Sequence, residues 1–189
     1  MPSTSEFDSR PVYSADGELF FQARESGADF VYRINEDGTG RRKVMPRPIE
    51  RFQGVSPDGR WVIALAAVPD EDSTRAVLAY STRDGSIRRI CQGICWAVWS
   101  QDGTLFNLTL PDRATFAIPL RRGKEFPPIP SPGVKSLADL RTLKGVPAAA
   151  ATDSMPRSGS TVYFVPHSTS YAFSRQTVRR NIYQIPIPR

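Results

Sequence analysis

The chain has 189 residues, and its 17 prolines and 13 glycines make about 16% of it, against roughly 12% in average usage. That length is enough to bury a core, while the longest apolar run, Trp61 to Val68, stops at Pro69 well short of the roughly 20 residues of a membrane-spanning helix. A net charge of +6 and a pI near 9.7 permit contact with nucleic acid, anionic lipid or acidic protein, but charge of this kind bears on association and not on fold.

Residues 1–10, MPSTSEFDSR, carry acids and no apolar stretch, so they read as an N-terminal tail and not as a signal peptide. A repeat follows over residues 11–125. The segments SADGELFFQA (14–23), SPDGRWVIAL (56–65) and SQDGTLFNLT (100–109) align without gaps, and Gly17, Gly59 and Gly103 stand 42 and 44 residues apart. That is the period of a four-stranded propeller blade. Asp-Gly has a physical reason between two strands, because a tight hairpin needs positive φ, which glycine supplies and aspartate tolerates. In this alignment Leu19, Trp61 and Leu105 are equivalent first residues of second strands.

Each unit is completed by further strands. The innermost are PVY (11–13), FQGV (52–55) and CWAVW (95–99), and the third strands are FVYRIN (30–35), AVLAYST (76–82) and TFAIPL (115–120). RRKVM (41–45) and SIRRI (86–90) have the length of outer strands, where Arg41-Arg42 and Arg88-Arg89 recur at one offset. Charges there guard an exposed edge against pairing with another strand. Cys91 and Cys95 flank Gln-Gly-Ile at a strand-to-strand turn, near enough to bridge, and are read as small buried hydrophobes. With only the distant His167 to add, they make no zinc site.

Residues 126–159 read as a proline-rich insertion with one short helix in SLADLRTLKG (136–145). Ser136 caps it with Asp139, Leu137, Leu140 and Leu143 form its apolar face, and Gly145 ends it. Residues 160–189 read as a degenerate fourth blade. VYFVPHSTSYAFSR (162–175) aligns with innermost and second strands, with Tyr171 in the place of Trp61, and NIYQIPIP (181–188) aligns with a third strand. Ser168-Thr169 replaces Asp-Gly, and His167 falls in the loop. From Ser154 onward there are five arginines (Arg157, Arg175, Arg179, Arg180, Arg189) and no acid, which makes this the basic patch of the chain.

With these motifs laid out, the sequence resembles the TolB-type, WD-like propeller repeats of bacteria, most closely at SPDGRWVIAL, over residues 11–125 and 160–188. The final YAFSRQTVRRNIYQIPIP is similar to the last blade of multidomain bacterial proteins in which a kinase or DNA-binding domain precedes the propeller. The resemblance implies an all-β fold of four-stranded antiparallel blades. About four are present, an open or partial propeller with one short helix in its insertion. Propellers take four to eight blades, commonly six in this family, so the chain is read as the C-terminal part of a larger one, or as borrowing a strand from residues 1–9 or from a second chain.

No Gly-x-Ser-x-Gly elbow, Walker loop, His-Glu-x-x-His or Cys-x-x-Cys occurs, so no catalytic residue, cofactor or metal is assigned and the chain is expected not to be an enzyme. Asp16, Asp58 and Asp102 recur one per blade, which fits turn chemistry and not a calcium site. The functional reading is a non-catalytic interaction or sensor module that binds a protein or peptide partner. Its candidate contacts are the aromatics on or beside innermost strands, Tyr13, Trp96, Trp99 and Tyr163, with Arg175, Arg179 and Arg180 of the basic tail. Packing between blades is the competing use of those aromatics. At two-residue spacing Trp99 shares a face with Ala97 and Trp96 with Val98. Two other functions stay open: an accessory propeller gating a catalytic neighbour, kinase or peptidase, and a basic surface for nucleic acid. Self-association is expected, and the compartment is left unassigned.

Overall fold

The computed structural model describes residues 8–71, 74–100, 102–111, 115–120, 126–143, 146–147, 162–164 and 171–173. Three successive four-stranded antiparallel sheets follow one another along the chain. The first comprises β1 (Asp8–Tyr13), β2 (Leu19–Glu25), β3 (Ala28–Ile34) and β4 (Arg42–Lys43). The second comprises β5 (Arg51–Val55), β6 (Trp61–Ala67), β7 (Arg75–Ser81) and β8 (Ile87–Cys91). The third runs through β9 (Trp96–Trp99), β10 (Leu105–Thr109) and β11 (Thr115–Pro119), and is completed by β12 (Val146–Pro147) after the helix α1 (Leu137–Thr142). In each sheet the strands lie in chain order, and β5 neighbours both β1 and β9, so the first strand of each sheet is the innermost. The fold is all-β, built of propeller blades.

The Ser-x-Asp-Gly turns show why that motif recurs. The Ser56 hydroxyl donates to Asp58 Oδ1 (2.6 Å) and accepts from the Trp61 N–H (2.9 Å), while Asp58 Oδ1 also takes the Arg60 N–H (3.1 Å). Ser100 and Asp102 repeat this, with Leu105 N–H to Ser100 Oγ at 2.9 Å and Thr104 N–H to Asp102 Oδ1 at 3.0 Å. Gly59 and Gly103 take positive φ, 68° and 69°.

Blade one departs from this pattern. Its Ser14 N–H bonds the carbonyl of Glu18, four residues on, whereas Ser56 and Ser100 reach Trp61 and Leu105, five residues on. Tyr13 therefore pairs with Leu19, while Val55 pairs with Val62 and Trp99 with Phe106. The gapless alignment is thus corrected by one residue. Leu19 occupies the place of Val62 and Phe106, and Phe20 that of Ile63 and Asn107. Since strand side chains alternate in direction, this slip decides which face each residue of β2 serves.

Two apolar clusters hold the blades face to face. Phe20 and Val31 of blade one meet Phe52, Val62 and Leu78 of blade two. Trp61, Ile63 and Val77, from the other face of blade two, meet Ala97, Phe106, Leu108 and Ile118 of blade three. Blade two is packed on both sides, and β6 is accordingly a continuous apolar run instead of an alternating one.

The insertion belongs inside blade three, between β11 and β12, since Val146 and Pro147 pair with Ala117 and Phe116. It lies along the outer edge of blade two. Val134 N–H donates to the Ile90 carbonyl and Gln92 N–H to that of Val134, both at 2.9 Å, so the edge that Arg88 and Arg89 were expected to guard is covered at this end. Gly133 has φ of 102°, and a Cβ there would stand 3.2 Å from the Cys91 backbone. The helix starts as expected, with Asp139 Oδ2 accepting the Ser136 N–H (2.9 Å), and its Leu140 is fully buried. Gly145 and the Leu137 side chain lie outside the described residues. Cys91 and Cys95 are buried but do not remain thiols: they are bonded to each other, with Cα atoms 6.5 Å apart.

Within residues 160–189, read in the sequence as a degenerate fourth blade, the described residues form a hairpin of β13 (Val162–Phe164) and β14 (Tyr171–Phe173), with Tyr163 opposite Ala172. His167, Ser168, Thr169 and the strand read at 181–188 lie outside the described residues.

Candidate functional site

The slip in blade one sends Leu19, Phe21, Tyr32 and Ile34 to the flank that faces away from blade two. In blade two the corresponding positions are Val62, Ala64, Leu78 and Tyr80, all buried against blade one. In blade three they are Phe106, Leu108, Phe116 and Ile118, all buried against blade two. The outer flank of blade one is therefore an inter-blade surface in its residue types. It forms a groove of about 300 Å³ lined by Asp8, Ser9, Pro11, Leu19, Phe21, Ile34 and Arg41.

Two cations partly roof this flank. The Arg41 guanidinium stands 5.0 Å from the Phe21 ring centre and 4.9 Å from that of Tyr32, and meets the Asp8 carboxylate at 3.1 Å. Lys43 lies 3.8 Å above the Phe30 ring and pairs with Glu25 at 3.0 Å. Each such contact with a ring is worth about 0.5–1 kcal/mol where the cation stays hydrated. The floor is apolar and the rim carries both signs of charge.

Of the residues singled out in the sequence, Tyr13 lies beside this groove. It ends β1, pairs with Leu19 and is 64% exposed. Trp96, at the start of β9, is half-buried and pairs with Thr109. Trp99 enters the cluster between blades two and three. Its ring lies 5.1 Å from Phe106 and 6.4 Å from Phe126, and Trp61 is 4.8 Å from Phe126. The Arg88 guanidinium stands 5.2 Å from both Trp61 and Phe126. The structure thus places Tyr13 apart from Trp99. Tyr163 is described only as a backbone position on β13, and Arg175, Arg179 and Arg180 lie outside the described residues.

Of the groove residues, Leu19 was read in the sequence only as a repeat position and Arg41 only as a charge guarding an edge, and Phe21 and Ile34 were not singled out. Their signal was the apolar pair Phe20-Phe21, which supplies a large side chain to each face of the first blade. Among the described residues no three His, Cys, Asp or Glu side chains gather where a metal could be held, and no helix is long and apolar enough to cross a membrane.

No protein-family model matches the sequence, and no curated protein matches it. Among solved structures the chain is similar to TolB from Acinetobacter baumannii, with 18% identity and a TM-score of 0.47 over 58% of this chain and 29% of that one. It is also similar to an uncharacterized protein from Listeria monocytogenes EGD-e, with 17% identity and a TM-score of 0.40 over 61% of this chain. The chain spans 29% and 38% of the length of these two proteins.

Proposed function

We propose that this chain is a non-catalytic propeller module that binds a protein or peptide segment, and that the outer flank of blade one receives it. The observation that carries this reading is the groove lined by Leu19, Phe21 and Ile34 beside the exposed Tyr13. These positions are covered by a neighbouring blade in blades two and three; in blade one Phe21 is buried, while the half-buried Leu19 and Ile34 keep an unspent capacity to bury apolar surface. A nucleic-acid reading draws less support from the described residues. Arg33, Arg41, Arg42, Lys43, Arg75 and Arg89 are each paired with a carboxylate, which disperses the positive charge.

Peptides selected from a random library on the intact chain test this. Fluorescence anisotropy is expected to show at least tenfold weaker binding to Leu19→Asp and Ile34→Asp, about 1.4 kcal/mol each, with thermal unfolding little changed. Binding unaffected by both substitutions would place the site elsewhere and defeat the proposal.

A further inference from the structure

Each of the two blade-to-blade contacts contains one buried carboxamide that grips the innermost strand of the following blade. Gln22, on β2 of blade one, accepts the Phe52 N–H of β5 at 2.9 Å. Gln53, in the bulge of β5, accepts the Ala97 N–H of β9 at 2.9 Å and donates to the Cys95 carbonyl at 2.8 Å. Phe52 and Ala97 are equivalent positions, opposite Ala64 and Leu108 of the second strands. Both glutamines are buried. An innermost strand has a neighbour on one side only, and each glutamine satisfies part of the backbone edge that remains.

Blade three carries a third buried carboxamide, Asn107, while the place of Gln22 in this register is filled by Thr109. Asn107 alternates with Phe106 and Leu108, which pack toward blade two, so it points to the opposite face, the one a following blade would meet. It occupies the place held by Phe20 and Ile63, both fully buried between blades. Asn107 is itself 2% exposed, and neither its Oδ1 nor its Nδ2 has a hydrogen-bond partner among the described residues. A buried amide with both ends unsatisfied is costly, and native chains retain one where a partner arrives. The rest of this face also differs from the faces ahead of it. Thr109 and Thr115 share a hydroxyl hydrogen bond where blade two has Leu65 and Val77.

We propose that Asn107 is a backbone-binding site for an extended strand, and that the strand it takes is β13 (Val162–Phe164) of this chain. Its Oδ1 accepts an N–H from the free edge of β13 and its Nδ2 donates to a carbonyl there, as Gln53 does to β9. The carboxamide, more than apolar contact, selects what docks on blade three. This inference is independent of the groove on blade one.

Nuclear magnetic resonance on the isotope-labelled full-length chain tests it. Nuclear Overhauser contacts are expected between the Asn107 side-chain amide protons and the backbone of residues 162–164. Asn107→Leu, which keeps the branched shape and removes the carboxamide, is expected to raise amide exchange at 162–164 at least tenfold while β5 to β11 stay protected. Contacts from Asn107 to no strand, or to another segment, would overturn the proposal. So would contacts found only between differently labelled molecules, which would make a second copy the occupant. Unchanged protection at 162–164 in Asn107→Leu would show that apolar packing suffices and would equally overturn it.

Discussion

At the scale of single residues, the hydroxyl of the repeated serine and the carboxylate of the repeated aspartate act as one unit. Ser100 donates to Asp102 at 2.6 Å, and that bond, followed by the Thr104 N–H, holds the Asp102 carboxyl below its ordinary 3.8 against a small opposing effect of burial. Asp84 in the β7–β8 turn is drawn down to about 2, chiefly by the Ser81 hydroxyl and then by Ser86. A folded-state pKa below the unfolded one means the unfolded chain binds protons more readily as pH falls. The turns thus contribute stability that is complete above the ordinary carboxylate range and is lost as pH falls through the depressed values. Carboxyl titration by NMR should find Asp102 titrating below 3.8, and Ser100→Ala should raise it. An Asp102 pKa unmoved by that substitution would refute the role given to the serine.

At the scale of elements, the length of one turn sets the faces of a whole strand. The blade-one hairpin runs one residue shorter than its two counterparts, and the same apolar letters consequently serve opposite sides. One residue inserted between Gly17 and Glu18 gives blade one the turn length of the others while leaving the Tyr13–Leu19 pairing intact. It is expected to cost less than about 1 kcal/mol, as surface-loop changes generally do. An insertion between Phe20 and Phe21 turns every later side chain of β2 to the wrong face. It should cost more than about 3 kcal/mol, in the range of core disruption. Chemical denaturation of the two variants checks the contrast, and equal losses would contradict the register described here. The insertion inside blade three follows the same economy of edges: Val134 hydrogen-bonds to the side of β8 that would otherwise be open.

At the scale of the whole molecule, blade two is enclosed on both faces, while blades one and three each have one face turned away from it. These outward faces are unlike. That of blade one is apolar, with Leu19, Phe21 and Ile34, and that of blade three is polar, with Asn107, Thr109 and Thr115. Apolar surface left in water is unfavourable by about 25 cal/mol per Å², so the first of these faces should draw copies of the isolated chain together. Sedimentation velocity is expected to show concentration-dependent self-association, weakened by Leu19→Asp. A monodisperse species across micromolar to high micromolar concentration would count against it.

What the sequence by itself determined was the blade. Ser-x-Asp-Gly at intervals of 42 and 44 residues places a tight turn before an apolar strand each time, and those are local requirements of φ and of side-chain alternation. Ser136 and Asp139 announced their helix start for the same local reason. The tertiary structure decided which face each residue serves, because pairing Tyr13 with Leu19 instead of Phe20 changes no residue type and leaves no trace in a gapless alignment. It also decided that Val146–Pro147, beyond the insertion, completes blade three, since a two-residue strand has no periodicity to read. The candidate groove and the orphaned Asn107 belong to the same class. Both arise where one blade's face meets or fails to meet another, and such meetings depend on contacts between residues some forty positions apart, which neighbouring letters do not encode.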